Sequence, residues 1–313
     1  MLRLTMSHDP FTAITPLVYC VPMSTAVVRI YTPEGFVIAA DGYSDDTDTP
    51  EFNCQKIFPI KGTFGTLAFG ISMLGSALFT NDVTGATLKI VFGQECQHTA
   101  DKLQSYTPKS LNDYADQFSR LFLEQVQFRI AKGAEEGIVS GSDYSEWKKS
   151  GALTLLHFAG YIASGNAGNP LLPSMATNTV RLADGSVEPG PALLNISHSP
   201  AVGFFYGSQQ ILSILQSEGA QFSKHSEREQ DRLALRIWQQ YSKPAHRDLK
   251  EGRGISLSSA IEAATSYIQA CSDVEARKID QQCRSIGGKI HVATITLKDG
   301  FKWVPGFEPS AST

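Results

Sequence analysis

Residues 26–31 and 36–40 are two apolar, β-branched runs, broken only by Arg29 and separated by Thr32-Pro33-Glu34-Gly35. Apolar runs of this length joined by a Pro/Gly turn predict a β-hairpin. Neither run alternates with polar residues, so both strands must be covered on both faces. The rest of the chain therefore has to supply a layer on each side of the sheet that holds them.

A second strand pair is predicted over 56–60 and 64–69, joined through Lys61-Gly62-Thr63. The period then changes. A helix is expected over much of 75–104, with Gly85 and Gly93 as its weak points. Ser110 begins another, with Asp113 placed for a capping box. Leu111, Tyr114, Ala115, Phe118, Leu121, Phe122 and Val126 recur along one face of it. Strands return over 153–162, 178–182 and 192–196, and 209–216 reads as helix. Ser256 caps a helix lined by Leu257, Ile261, Ala264, Ile268 and Cys271, and 289–297 with 301–304 forms a closing hairpin.

This order contains no βαβ alternation, so a parallel sheet is not expected. Two antiparallel sheets stacked face to face, with helices outside each, satisfy every apolar face. The expected fold class is α+β, a four-layer αββα sandwich. Apolar residues make up 42% of the 313 and charged residues 19%, ample for one core. A single domain over 25–304 is expected. Polar insertions at 132–152 and 217–254 should lie outside the sandwich, and 305–313 should be a loose tail.

A net charge of −4 without any basic block argues against nucleic-acid and acidic-membrane partners. No run of 18 apolar residues occurs, so no membrane span is expected. The mildly apolar stretch 17–23 lies between Pro16 and Pro22 and follows Asp9, a poor secretory signal. The five cysteines (Cys20, Cys54, Cys96, Cys271, Cys283) are odd in number and widely spaced, without a CxxC pair. They fit a reducing cytoplasm rather than a disulfide framework or zinc site. The histidines lack ligand spacing, and His157 and His291 read as sheet residues. Ser208 in Tyr-Gly-Ser-Gln is no nucleophile elbow, and the glycine-rich stretches lack a phosphate-loop lysine. No metal or organic cofactor is expected.

Three polar residues remain at the first hairpins. Thr25 precedes the first strand, Asp41 follows the second and Lys56 opens the third. Antiparallel pairing returns the end of strand two to the start of strand one, which brings Asp41 toward Thr25, and Lys56 on a neighbouring strand can reach the same corner. Each has an ordinary reading alone, the aspartate as a turn residue and the lysine as a solvated strand start. Their joint spacing is what points to acyl transfer.

Here the sequence resembles the proteasome β-type subunit family. The resemblance is carried by Ser24-Thr25-Ala26-Val27-Val28-Arg29-Ile30-Tyr31, by Gly35 to Ala40 with Asp41-Gly42, and by Gln55-Lys56-Ile57-Phe58-Pro59-Ile60. Gly65 to Gly70, Phe158 to Tyr161, Tyr206-Gly207-Ser208, Gly287-Gly288 to Ile295 and Asp299 to Trp303 continue it. It spans roughly 25–304 and implies an N-terminal nucleophile hydrolase fold. Thr25 falls on the family's nucleophile and Asp41 on its aspartate. Lys56 falls on its lysine once one residue is deleted from the intervening loop.

The resemblance implies a threonine peptidase freed by cleavage of Ser24–Thr25, with 1–24 as propeptide and a peptide or unfolded protein as substrate. It also implies a homo-oligomer, a ring or a helical derivative. The main-chain N–H of Phe69 or Gly70 would hold the oxyanion. The family's aspartate and serine before Gly287-Gly288 fall on Cys283 and Ile286, leaving Asp280 and Ser285 as possible support. Tyr206 stands where the family has a serine, and Ser24 where it has a glycine. The alternatives are a non-catalytic ring or scaffold subunit of the same fold, and an amidase acting on small molecules. A Cys20 nucleophile is five residues too far from Asp41.

Overall fold

The structure is a computed structural model. It describes residues 25–43, 52–62, 65–72, 76–81, 83–106, 108–142, 144–145, 153–163, 171–182, 184–219, 222 and 228–310. The expected propeptide, Cys20 and Ser24 lie outside the described residues. In chain order the strands are β1 Val27–Thr32, β2 Gly35–Asp41, β3 Ile57–Gly62, β4 Gly65–Ser72, β5 Ser76–Thr80 and β6 Thr87–Val91. They continue with β7 Leu153–Ala163, β8 Leu171–Arg181, β9 Ser186–Leu193, β10 Val202–Tyr206, β11 Ile290–Thr296 and β12 Gly300–Trp303. The helices are α1 Phe92–Lys102, α2 Leu111–Glu135, α3 Gln209–Leu215, α4 Glu229–Tyr241, α5 Pro244–Lys250, α6 Leu257–Ser272 and the short α7 Ala276–Ile279.

Two antiparallel sheets form, ordered β10-β1-β2-β11-β12 and β3-β4-β7-β8-β9. Their facing sides share a core of Val27, Tyr31, Phe36, Ile38, Ile57, Ala159, Met175 and Ile295. The outer face of the first sheet packs Val28, Ile30 and Val292 against α3, α4 and α6 through Ile211, Ile237 and Tyr267. The outer face of the second packs Phe158 and Val180 against α1 and α2 through Phe92, Phe118 and Phe122. The layers thus run helix, sheet, sheet, helix, and the fold class is the α+β arrangement expected from the strand order. The fully buried pattern of β1 and β2 follows from this stacking.

One residue of β1 is unlike its neighbours. Arg29 lies on the side that faces the other sheet, buried among apolar groups. Its Nη1 donates to the carbonyls of Phe158 (3.1 Å) and Ala176 (2.7 Å), and its Nη2 donates to Thr177 Oγ1 (2.8 Å). The β8–β9 register shifts between Ala176 and Asn178, leaving Thr177 at a bulge beside that guanidinium. Burial lowers the Arg29 pKa to about 9.

Three expectations change. The stretch 75–104 is not one helix: β5 and β6 pair as a hairpin before α1. Asn81 Oδ1 accepts the Val83 and Thr84 N–H groups, and Gly85 closes the turn at φ 71°, so the β-branched Thr87–Val91 segment extends instead of coiling. The stretch 217–254 is not an excursion, because α4 and α5 lie within it and bury Ala234, Ile237 and Ala245 in the helix-side core. Much of 132–142 likewise belongs to the end of α2 and its turn, where Val139 is buried. The tail is held as far as Phe307, which packs on the core while its carbonyl accepts the Val292 N–H at 3.1 Å.

Candidate active site

The β1–β2 ladder pairs Val27 with Ala40 and runs one step further through the Asp41 N–H to the Ala26 carbonyl (3.2 Å). That step turns the Asp41 carboxylate back over the start of β1. Its Oδ1 accepts the Ala26 N–H (2.8 Å), and its Oδ2 accepts those of Gly287 (3.1 Å) and Tyr43 (3.3 Å). Lys56, just ahead of β3 in the facing sheet, reaches across. Its Nζ donates to Thr25 Oγ1 (2.8 Å), Asp41 Oδ1 (3.1 Å) and the Tyr43 carbonyl (2.7 Å). An ammonium has three N–H bonds, and here each has an acceptor.

The structure therefore brings Thr25, Asp41 and Lys56 together, and all three are buried, at 3%, 0% and 6% exposure. Burial pushes the Asp41 carboxyl above its ordinary value, against the opposing pull of the Lys56 charge and the Ala26 and Gly287 N–H groups.

Close backbone packing holds this corner. The Gly42 N–H donates to the Gly287 carbonyl (3.1 Å), the Cys54 N–H to the Gly42 carbonyl (2.8 Å) and the Lys289 N–H to the Phe52 carbonyl (2.7 Å). Gly288 sits at φ 72°, where a Cβ would lie 2.5 Å from the Phe52 carbonyl oxygen. A Cβ on Gly42 would lie 2.6 Å from the Lys289 carbonyl oxygen. Only glycine lets the three segments cross this tightly. Beside them, His291 Nε2 lies 2.9 Å from Asn53 Oδ1.

Other expected site residues fall elsewhere. Phe69 and Gly70 lie inside β4, paired with Phe58 and Phe158 and with Ile57 and His157 respectively. In a strand paired on both sides the ladder takes up the main-chain N–H groups. Asp280 accepts the Ser208 hydroxyl (2.6 Å) and the Gln282 N–H (2.9 Å), and Ser208 caps α3 through the Ile211 N–H (3.1 Å). Ser285 ends a 3₁₀ turn, and none of the hydrogen bonds on the trio comes from it or from Asp280. Cys283 and Ile286 are buried in the helix-side core. His157 packs against Tyr206 and makes none of the hydrogen bonds on the trio given above, and burial with the nearby Arg29 charge holds its imidazole well below the ordinary value.

Sequence reasoning missed four partners of the trio, the N–H groups of Ala26, Tyr43 and Gly287 and the Tyr43 carbonyl. All are main-chain groups, and only the glycine pair at 287–288 hinted at a close approach. Among the described residues, no group of His, Cys, Asp and Glu could hold a metal ion, and no helix is long and apolar enough to cross a membrane. Cys96, Cys271 and Cys283 are free thiols.

No family model matches the chain, and no curated protein matches it. Among solved structures it is similar to Anbu, described as an ancestral β-subunit, from Yersinia bercovieri. That match has 10% identity and a TM-score of 0.43, covering 91% of this chain and 88% of that chain. It is also similar to the helical assembly of the Anbu complex from Pseudomonas aeruginosa, with 13% identity, a TM-score of 0.43 and the same coverage. A mutant of Anbu from Hyphomicrobium sp. strain MC1 gives 12% identity, a TM-score of 0.42 and again that coverage. At such values the likeness assigns no activity. These findings correct the expected membership of the proteasome β-type subunit family: its model does not match, and the similar structures are named as Anbu, a distinct family. The reason is physical, since the motifs behind that expectation are buried strands and glycine turns, patterns that packing imposes on any chain of such a fold.

Proposed function

We propose that this protein is a threonine-type peptidase that hydrolyses peptide bonds with Thr25 as an N-terminal nucleophile, residues 1–24 being removed as a propeptide. The observation that carries the reading is the Lys56 ammonium shared between Thr25 Oγ1 at 2.8 Å and Asp41 Oδ1 at 3.1 Å.

A threonine hydroxyl needs a base to attack a carbonyl at neutral pH. Lys56 is a poor choice, because its three N–H bonds are already committed and none of its acceptors can take up a lost proton cheaply. The α-amine of a freed Thr25 is the better base, with an unperturbed pKa of about 8. The Lys56 charge makes that amine less basic and stabilises developing alkoxide character on Oγ1. Asp41 balances the lysine and ties the start of β1 through the Ala26 N–H.

In the first step the amine takes the hydroxyl proton while Oγ1 bonds to the scissile carbonyl carbon. The tetrahedral intermediate then expels the leaving amine, which receives that proton, and an ester on Thr25 remains. Water, deprotonated by the same amine, attacks the ester, releases the acid and restores the hydroxyl. For Phe69 or Gly70 to serve the oxyanion, an N–H would have to leave the β4 ladder.

That demand, together with the Asp280–Ser208 bond turned toward α3, favours a second reading, a non-catalytic scaffold of the same fold. Intact mass and a fluorogenic peptide amide separate the two. The first reading expects a species starting at Thr25, hydrolysis, and its loss in Thr25→Ala with the fold intact. Wild-type protein with a free Thr25 that neither cleaves peptide amides nor reacts with a threonine-directed electrophile establishes the second.

A further inference from the structure

His291 and Asn53 form another polar pair at this corner, outside the chemistry just described. His291 lies on β11 opposite Ala40 and is fully buried. It shares its side of the strand with Ala293 and Ile295, both in the core between the sheets, so its ring points toward the sheet that carries Lys56. Its Nε2 faces the side-chain oxygen of Asn53 at 2.9 Å, which makes Nε2 the protonated nitrogen. Nδ1 then keeps its lone pair and has no hydrogen-bond partner among the described residues. A buried histidine left half unsatisfied costs free energy, so the half that is bonded calls for an explanation.

Asn53 stands three residues ahead of Lys56 on an exposed stretch. Main-chain bonds from Cys54 to Gly42 and from Lys289 to Phe52 lay that stretch across the glycine crossing. These two bonds hold the main chain on either side of Asn53. The His291–Asn53 bond adds a side-chain anchor to the same stretch, made from the β11 side.

The chemistry of the anchor is restrictive. It must donate from a buried position yet carry no charge, because a cation there would repel the Lys56 ammonium. Burial and the charges of Lys289 and Lys56 hold the imidazole pKa at about 4, so the ring is neutral near pH 7.

We propose that His291 is a positioning residue that, through Asn53, sets the approach of Lys56 to Thr25 and Asp41. The inference rests on the proposed hydrolytic reading for its kinetic consequence but not for its structural one, and the test uses both. His291→Leu removes the donor. His291→Gln keeps an N–H at nearly the same place, and Asn53→Ala removes the acceptor at an exposed position.

Two quantities are measured: kcat and KM on a peptide amide, and the rate at which an acylating amine reagent modifies Lys56, followed by peptide mass mapping. His291→Leu and Asn53→Ala should each lower kcat about five- to tenfold with KM unchanged, the effect of one lost hydrogen bond. Each should also speed Lys56 modification. His291→Gln should restore both, and the Leu/Ala double variant should be no worse than either single. The proposal is overturned if Lys56 modification in Asn53→Ala matches wild type, or if Gln is as impaired as Leu in both readouts. If the wild type cleaves nothing, the labelling arm still decides, so failure of the hydrolytic reading and failure of this one are told apart.

Discussion

Replacing His246 with glutamine should make the protein less sensitive to acid, although the variant is weaker at neutral pH. His246 is fully buried where α5 meets α6. Its Nδ1 accepts the Lys243 N–H (3.1 Å), so its Nε2 donates to the Ala263 carbonyl (3.0 Å). Protonating Nδ1 would destroy the first bond inside a dry core, and burial lowers the pKa to about 4. Unfolded histidine titrates near 6.5, so between these values the unfolded chain binds more protons than the folded one. Stability is therefore whole above about pH 6.5 and falls as the pH drops toward 4. At pH 5 the loss from this one residue is about 2 kcal/mol. His291, with its pKa also at about 4, shifts stability in the same direction. The loss at His246 alone is a sizeable share of a total that is typically about 5–15 kcal/mol. Asp41 has the opposite sign: its raised pKa makes acidification stabilising just above the ordinary carboxylate range. That contribution is common to both proteins and cancels between them. Urea midpoints at pH 7 and pH 5 supply the comparison. The variant should lose about 2 kcal/mol less than wild type over that interval, and equal losses would falsify the assignment of His246 as a histidine buried in its neutral form.

Asp41→Asn strips the Lys56 ammonium of its counter-charge and should cost on the order of 3–5 kcal/mol in denaturant unfolding; a loss below about 1 kcal/mol would mean that the pair is not buried as described. If hydrolysis is measured against pH, its acid limb should follow protonation of the Thr25 α-amine and lie below that group's ordinary value of about 8, because the Lys56 charge makes the amine less basic. A limb at or above that value removes the Lys56 charge from the tuning of the base. Arg29→Met should destabilise by about 2 kcal/mol, because the Phe158 and Ala176 carbonyls and the Thr177 hydroxyl lose their donor; a thermally stabilised variant would show that burying the cation costs more than its bonds return. Gly288→Ala should cost roughly 1–3 kcal/mol, since its φ of 72° and the Phe52 carbonyl both reject a Cβ; an unchanged melting temperature would contradict the tight crossing.

The corner where Thr25 meets Asp41 was legible because a hairpin with a short turn fixes its own register, and counting outward from Thr32–Gly35 returns Asp41 to Ala26. The stacked antiparallel sheets were legible for a related reason, since continuous apolar strands without intervening helices leave few other ways to cover both faces. What failed to show has equally particular causes. The helix α4 buries Leu233, Ala234, Leu235 and Ile237, a compact set among charges that reads as polar when averaged over 217–254. Arg29 gave no sign of burial, because its acceptors arise from the irregularity at Thr177, far along the chain. The third acceptor on Lys56 and one donor on Asp41 come from the Tyr43 carbonyl and the Gly287 N–H, groups that every residue possesses and no pattern marks.

The bond from the Cys54 N–H to the Gly42 carbonyl has an evolutionary consequence. It fastens the two ends of the stretch between Asp41 and Lys56 to each other, so the placement of the lysine does not depend on how many residues lie between them. Closing a flexible loop of twice the length costs only about 0.6 kcal/mol more. Insertions and deletions there can accumulate across a lineage, or a foreign epitope can be grafted in, while the lysine stays where it is.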